Sequence, residues 1–402
     1  MSPSTRLSLS LGVALLVGVS CRDDNNAGLT DPDVPPSQST INATITPLTF
    51  TQVSVGPYHS CGLTTNTLAY CWGFNYAGQL GDGTKSDRFR PVAVLGGRAF
   101  RAVSAGADHS CGVTADYKVY CWGGNGNGHL GDGTTTDRLM PVRVLGEHSF
   151  RQLSAGWGYT CGVTVGHHAF CWGYNGWGQR GNGKTDTRLT PGPVAGGLRF
   201  LQISAKEAHT CGVTTENRAY CWGLNDNAQL GDGTTTDRLI PVRVTGGRLF
   251  RQVSAGNRTH SCGVTLEYRA YCWGWNPVGQ LGTGDETGSV QVTPVPVSGG
   301  LRFRQVSAAV HHTCGVTTGS LAYCWGYDDT GALGAGASSV WNVTPVAVFG
   351  GLYWKELGAG VDHTCGRTSA GKAYCWGDNQ LGAVGDGTTT MRFQPRAVVG
   401  PM

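Results

Sequence analysis

Phe100 to Ser149 reads FRAVSAGADHSCGVTADYKVYCWGGNGNGHLGDGTTTDRLMPVRVLGEHS, and the chain repeats this stretch along most of its length. Its cysteines, Cys111 and Cys121, form one of seven pairs with ten-residue spacing. The other six are Cys61 with Cys71, Cys161 with Cys171, Cys211 with Cys221, Cys262 with Cys272, Cys314 with Cys324 and Cys365 with Cys375. Successive pairs are offset by 50, 50, 50, 51, 52 and 51 residues. A fixed period of that size marks a repeat architecture, in which each unit buries its apolar faces against its neighbours.

Inside the unit, FRxVSAG, HxCGVT and AYCWG alternate apolar and polar residues between turn residues, as short strands do. A fourth, weaker strand is predicted at Pro141–Val144. Four short strands per unit of about 50 residues predict a propeller blade. The fold class expected is therefore all-β, a seven-bladed β-propeller over residues 48–402. Its repeats are set at about 50–99, 100–149, 150–199, 200–249, 250–302, 303–353 and 354–402. No useful helical period runs through the mature chain.

Composition agrees. Glycine makes up 64 of 402 residues, about 16% against roughly 7% in ordinary chains. Residues 100–149 alone hold nine glycines, placed at turns between short strands. A 40% hydrophobic fraction with 12 Trp and 14 Tyr excludes a disordered chain. The net charge of +4 is too small to argue for nucleic acid.

Cys111 and Cys121 lie symmetrically about Asp116, so they face each other across a hairpin. At a non-hydrogen-bonded pair the Cα atoms stand about 4.5 Å apart, within disulfide reach. Seven bridges inside seven repeats are expected, each closing a short loop worth roughly 3 kcal/mol in the chain-entropy model. A zinc set of His109, Cys111 and Cys121 is the weaker reading, because it lacks a fourth ligand. Neither a cofactor nor a metal is expected. With 15 cysteines the count is odd, and Cys21 is left over.

Cys21 follows Arg6 and an apolar run, Leu7–Val19. That pattern reads as a signal peptide over 1–20. Val17-Gly18-Val19-Ser20-Cys21 resembles a bacterial lipobox, with Gly18 departing from the usual leucine, and makes Cys21 the expected lipidation site. Residues 21–47 are polar and proline-containing, a flexible tether. The expected address is the cell envelope or outer surface, with membrane attachment through the lipid, or secretion if Cys21 is not lipidated. An exported chain also sits where disulfides persist.

The unit resembles the regulator of chromosome condensation repeat. The resemblance rests on Ala105-Gly106 with His109-Ser110, on Tyr120, Trp122-Gly123 and Asn125, and on Gly78-Gln79-Leu80-Gly81 in the first copy. It covers residues 50 to 400 and recurs seven times. It implies a seven-bladed propeller in which both chain ends complete one blade. It also brings precedents, guanine nucleotide exchange in nuclear members and action by binding alone in secreted ones.

A slot filled by His59, His109, His209, His260, His312 and His363, with Tyr159 in the remaining copy, reads as architecture. The expected role is a hydrogen bond to backbone inside the histidine's own blade. Asp82 and Asp87, Asp132 and Asp137, and Asp232 and Asp237 recur in Asp-Gly-Thr-x-x-Asp. Their expected role is bonding within the turn and pairing with arginine. Calcium ligation is the weaker alternative, since such a loop needs more oxygens.

Function is expected where copies differ. The loops after SAG and after Trp-Gly open on one face, which carries Tyr58, Asp108, Trp157, Tyr159, Glu207 and Arg258 from the first loop. Phe74, Tyr76, Tyr174, Trp177, Asp226, Trp275, Tyr327 and Asp329 come from the second. Tyr, Trp and Arg are the usual interface anchors. The leading expectation is a monomeric scaffold that binds a protein or glycan and is not an enzyme. The alternatives are exchange-factor activity and an envelope lyase or glycosidase in the central channel.

Overall fold

The first repeat folds into strands β1 (Phe50–Val55), β2 (His59–Thr64), β3 (Ala69–Gly73) and β4 (Arg88–Ala93). The second forms β5 (Phe100–Ala105), β6 (His109–Thr114), β7 (Val119–Gly123) and β8 (Arg138–Arg143), so its outer strand starts three residues before the predicted one. The computed structural model describes residues 48–337 and 339–401. The expected signal peptide (1–20), the whole of the expected tether (21–47) and Cys21 lie outside the described residues. Among those described, 28 strands make seven four-stranded antiparallel sheets and no helix.

Each sheet takes its four strands from consecutive sequence, β1-β2-β3-β4 in the first blade. The expectation that both chain ends share a blade is therefore corrected. The ring closes by packing whole blades instead. First strands lie against one another around the axis, β1 on β5 and finally Trp354–Ala359 on β1. At the closing seam Phe50 N donates to Gly371 O at 2.8 Å and Val53 N to Glu356 Oε1 at 2.8 Å.

The apolar core lies between blades. Cys61, Leu63, Ala69, Cys71, Leu80 and Val94 of blade 1 pack on Phe100, Val103, Ala105 and Trp122 of blade 2. The same set recurs at each junction, including blade 7 on blade 1, where Cys365, Ala373, Cys375 and Val384 meet Phe50, Val53, Val55 and Trp72. Gly81 shows why glycine recurs at these junctions. Its φ is +70°, and a Cβ there would fall 2.7 Å from the Trp122 ring.

All seven predicted disulfides form, with Cα separations of 4.0–4.1 Å. Cys61 is bonded to Cys71, Cys111 to Cys121, Cys161 to Cys171 and Cys211 to Cys221. Cys262 is bonded to Cys272, Cys314 to Cys324 and Cys365 to Cys375. In every hairpin the two cysteines are direct ladder partners, as Cys111 is with Cys121 and Cys161 with Cys171.

Neighbouring inner strands are also clamped by side chains. Gln52 brackets Val103, accepting from its N–H at 2.9 Å and donating to its carbonyl at 3.0 Å. Ser54 Oγ accepts Ala105 N at 3.0 Å. Gln152 and Ser154 make the same contacts to Ile203 and Ala205. Strand edges that face the channel are thus satisfied across blades without a continuous ladder.

Candidate functional site

The loops joining first to second and third to fourth strands do share a face. Phe74 N donates to Tyr58 O at 3.1 Å, Gly124 N to Asp108 O at 2.8 Å, Trp275 N to Thr259 O at 2.9 Å, and Tyr327 N to His311 O at 2.9 Å. The inner loops run round the channel mouth, with Ala107 N bonded to Gly156 O at 3.1 Å and Trp157 N to Lys206 O at 3.0 Å.

On this face the candidate aromatics form clusters. Tyr58 meets Phe74 edge-on at 6.3 Å, Phe74 stacks on Tyr76 at 6.0 Å, and Tyr58 also meets Trp157 of blade 3 edge-on at 6.3 Å. Tyr76 is 70% exposed and Trp157 41%. Trp157, Tyr174, Trp177, Asn127 and Glu207 line a depression of about 220 Å³. Arg258 borders it, its guanidinium 5.3 Å from the Trp177 ring centre, 4.0 Å from Glu207 and 3.8 Å from Asp226. Further round, His311 bridges Trp275 at 5.8 Å and Tyr327 at 6.2 Å, and the Tyr327 hydroxyl donates to Asp329 at 3.2 Å. A larger cavity, about 550 Å³, lies elsewhere, along edge strand β4 and Pro401. Its lining is mostly one strand edge, whereas the smaller depression gathers aromatic and charged groups from several loops.

The electrostatics of the mouth follow from burial. Desolvation, helped by Asp362 and Glu207, raises the Tyr58 hydroxyl above its usual range. Burial raises Glu207 against the pull of Arg258. Lys206, standing where most blades have glycine, is brought down to about 8 by burial. Its charge is felt by His312 and His363. Sequence reading missed Lys206, Asp362 and His311, although each is a departure from the repeat at an inner-loop position.

Tyr159 does not belong to the face. It is fully buried, and its hydroxyl bonds His209 O at 2.8 Å and Thr210 Oγ1 at 2.9 Å. It fills the histidine slot as a blade-to-blade tie. The histidines are corrected likewise. Each reaches a side-chain hydroxyl of the next blade, not backbone of its own: His59 reaches Ser110 and His209 reaches Ser261, both at 2.8 Å, and His312 reaches Thr364 at 2.9 Å. For five of the six histidines the receiving hydroxyl donates onward to a carbonyl, as Ser110 does to Gln79 O at 2.9 Å. In these the imidazole Nε2–H is therefore the donor.

The acidic turns follow the expected reading. Asp82 Oδ1 accepts Thr84 N at 3.0 Å and Thr84 Oγ1 at 2.8 Å, while its Oδ2 takes Arg88 Nε at 2.7 Å. Asp87 Oδ1 accepts Asn75 N at 2.7 Å. These bonds hold the carboxyls of Asp82, Asp132 and Asp232 below their usual range despite burial.

One cluster breaks the repeat. In blade 2, Asp108 Oδ1 lies 3.4 Å from His109 Nδ1 and 3.5 Å from His129 Nε2, and the two rings are 4.5 Å apart. His129, twenty residues beyond His109 on another loop, was not picked out by sequence reading.

A seven-bladed propeller of short repeats, joined blade to blade by histidine, glutamine and serine, defines the class. The family described as the RCC1-like domain matches residues 14–356, and the regulator of chromosome condensation (RCC1) repeat matches 354–383. The chain belongs to the RCC1-like domain family. It is 32% identical over 130 residues to the ultraviolet-B receptor UVR8 of Arabidopsis thaliana, covering 32% of this chain and 29% of that protein. It is 27% identical over 197 residues to the human E3 ubiquitin-protein ligase HERC2, covering 35% of this chain and 4% of that protein. It thus spans well under half of these relatives. Among solved structures it is similar to Prp20p from Saccharomyces cerevisiae, with a TM-score of 0.74 and 22% identity over 84% of this chain and 87% of that one.

Proposed function

We propose that the protein is an extracytoplasmic interaction module, tethered through a lipid on Cys21, that captures a protein or glycan partner on the loop face of the propeller. The observation that carries this reading is the aromatic and charged cluster around Trp157, Trp177, Glu207 and Arg258, drawn from blades 3, 4 and 5. Rigid rings around a charged pair suit a hot spot, since little side-chain entropy is lost on binding. Protein binding has a precedent in the family, because the structure of Prp20p was determined with its binding properties to Gsp1p and histones. Seven buried disulfides favour an oxidising compartment and count against exchange on an intracellular GTPase.

The test is affinity capture from envelope extract with the wild type, with Trp157→Ala/Trp177→Ala/Trp275→Ala, and with a control altered on the opposite face, Tyr117→Ala/Tyr268→Ala. Partner recovery is expected to vanish only for the tryptophan variant. Equal recovery by all three would show that this face is not the binding face. Fractionation tests the tether, since Cys21→Ser should move the protein from the membrane to the soluble fraction.

A further inference from the structure

We propose that Asp108, His109 and His129 bind a divalent transition-metal ion of the zinc class, with an open coordination position on the loop face. One potential ligand atom from each residue falls within a 4.8 Å cluster. Two ligands held 2.0–2.1 Å from a metal at the tetrahedral angle stand about 3.3 Å apart. The separations of 3.4 Å and 3.5 Å from Asp108 Oδ1 to the two imidazole nitrogens match that spacing.

Hydrogen bonding sets the chemistry of His109. Thr160 Oγ1 donates to His129 O at 2.9 Å, so it must accept from His109 Nε2–H, 2.8 Å away. That leaves Nδ1 as the ring atom facing the Asp108 carboxylate, 3.4 Å away, where a proton or a metal cation would bridge the two groups. A histidine whose second ring nitrogen is held by a neighbouring group is also the usual form of a metal ligand. Thr160 thereby orients one ligand ring and tethers the backbone of the other.

His129 supplies a separate argument. Its side chain is 1% exposed, and neither ring nitrogen has a hydrogen-bond partner among the described residues. Buried polar groups are rarely left so. The equivalent position holds Gln79, Gln179, Gln229 and Gln280, and each amide oxygen braces its own loop, as Gln79 Oε1 does by accepting Ala77 N at 2.9 Å. Blade 2 gives up this brace for a ring aimed at Asp108. The Asp108 side chain is 42% exposed, so the ion would be reached from the loop face and could take a water or a partner side chain as its remaining ligand.

The experiment uses the chain with disulfides formed and carrying Cys21→Ser, so that position 21 bears neither a lipid nor a thiol. Metal-stripped protein is titrated with Zn²⁺ by calorimetry and with Co²⁺ by visible absorption. One equivalent is expected to bind, with Co²⁺ bands typical of nitrogen and oxygen ligands. His129→Gln restores the brace found in four other blades and should fold, yet bind at least 100-fold more weakly. Asp108→Asn should do the same. The proposal is overturned if the parent chain shows no saturable site, or if both variants bind as the parent does.

Discussion

Glu356 of blade 7 accepts a hydrogen bond from Val53 N of blade 1 at 2.8 Å, the place where every other complete clamp uses glutamine. Arg367 holds the same carboxylate oxygen at 3.2 Å. His363 adds a bond to Ser60 Oγ at 3.2 Å across the same seam. Glu356→Gln should be close to neutral, because an amide oxygen still accepts from Val53. Glu356→Ala leaves a buried N–H unpaired and should lower stability by about 1–3 kcal/mol. Denaturant midpoints of the two variants, compared with the parent, decide between these outcomes.

The disulfides are shielded as well as numerous. Cys211 and Cys221 are fully buried between blades 4 and 5. They should resist reductant in the folded protein and react only in denaturant, read as a mass shift after alkylation. Cys211→Ser/Cys221→Ser should destabilise by about 2–4 kcal/mol. Reduction of the native protein at the rate of an exposed disulfide would contradict the inter-blade core.

Acid should loosen the ring. Burial, with help from neighbouring imidazoles and Lys206, brings His260 and His312 down to about 3 from the usual 6.5. Burial brings His209 to about 3 and His363, near Lys206, to about 4. Between those values and 6.5 the unfolded chain binds more protons than the folded one, so stability falls as pH drops through this window. Each such imidazole adds a slope of up to about 1.4 kcal/mol per pH unit. Thermal midpoints measured from pH 7 downward should fall steeply below about pH 6. A flat profile there would be incompatible with neutral buried histidines.

The acidic turns should be indifferent to calcium. In blade 3 Asn182 already occupies the aspartate slot, accepting Asn175 Nδ2 at 3.1 Å and Lys184 N at 3.3 Å. Asp132→Asn should therefore keep the turn and lose only the ion pair to Arg138, under about 1 kcal/mol for a partly exposed pair. Asp132→Ala also strands Thr134 N and should lose about 2–3 kcal/mol. Millimolar calcium should leave the melting temperature unchanged. A calcium-dependent rise would mean that the carboxylates serve the ion and not the turn.

The sequence by itself determined the blade count, the four strands of each repeat and the seven disulfides. Each follows from local information, a period near 50 residues, alternation of two, and cysteines set symmetrically about a hairpin, as Cys262 and Cys272 or Cys314 and Cys324 are. Only the tertiary structure decided what crosses from one blade to the next. That His209 bonds Ser261, that Tyr159 is a buried tie and that no blade mixes chain ends depend on residues about 50 or more positions apart. The meeting of Asp108, His109 and His129 is of the same kind, since two separate loops bring it about. A repeat reports what each unit must satisfy within itself, while the groups left unsatisfied find partners only when the ring is closed.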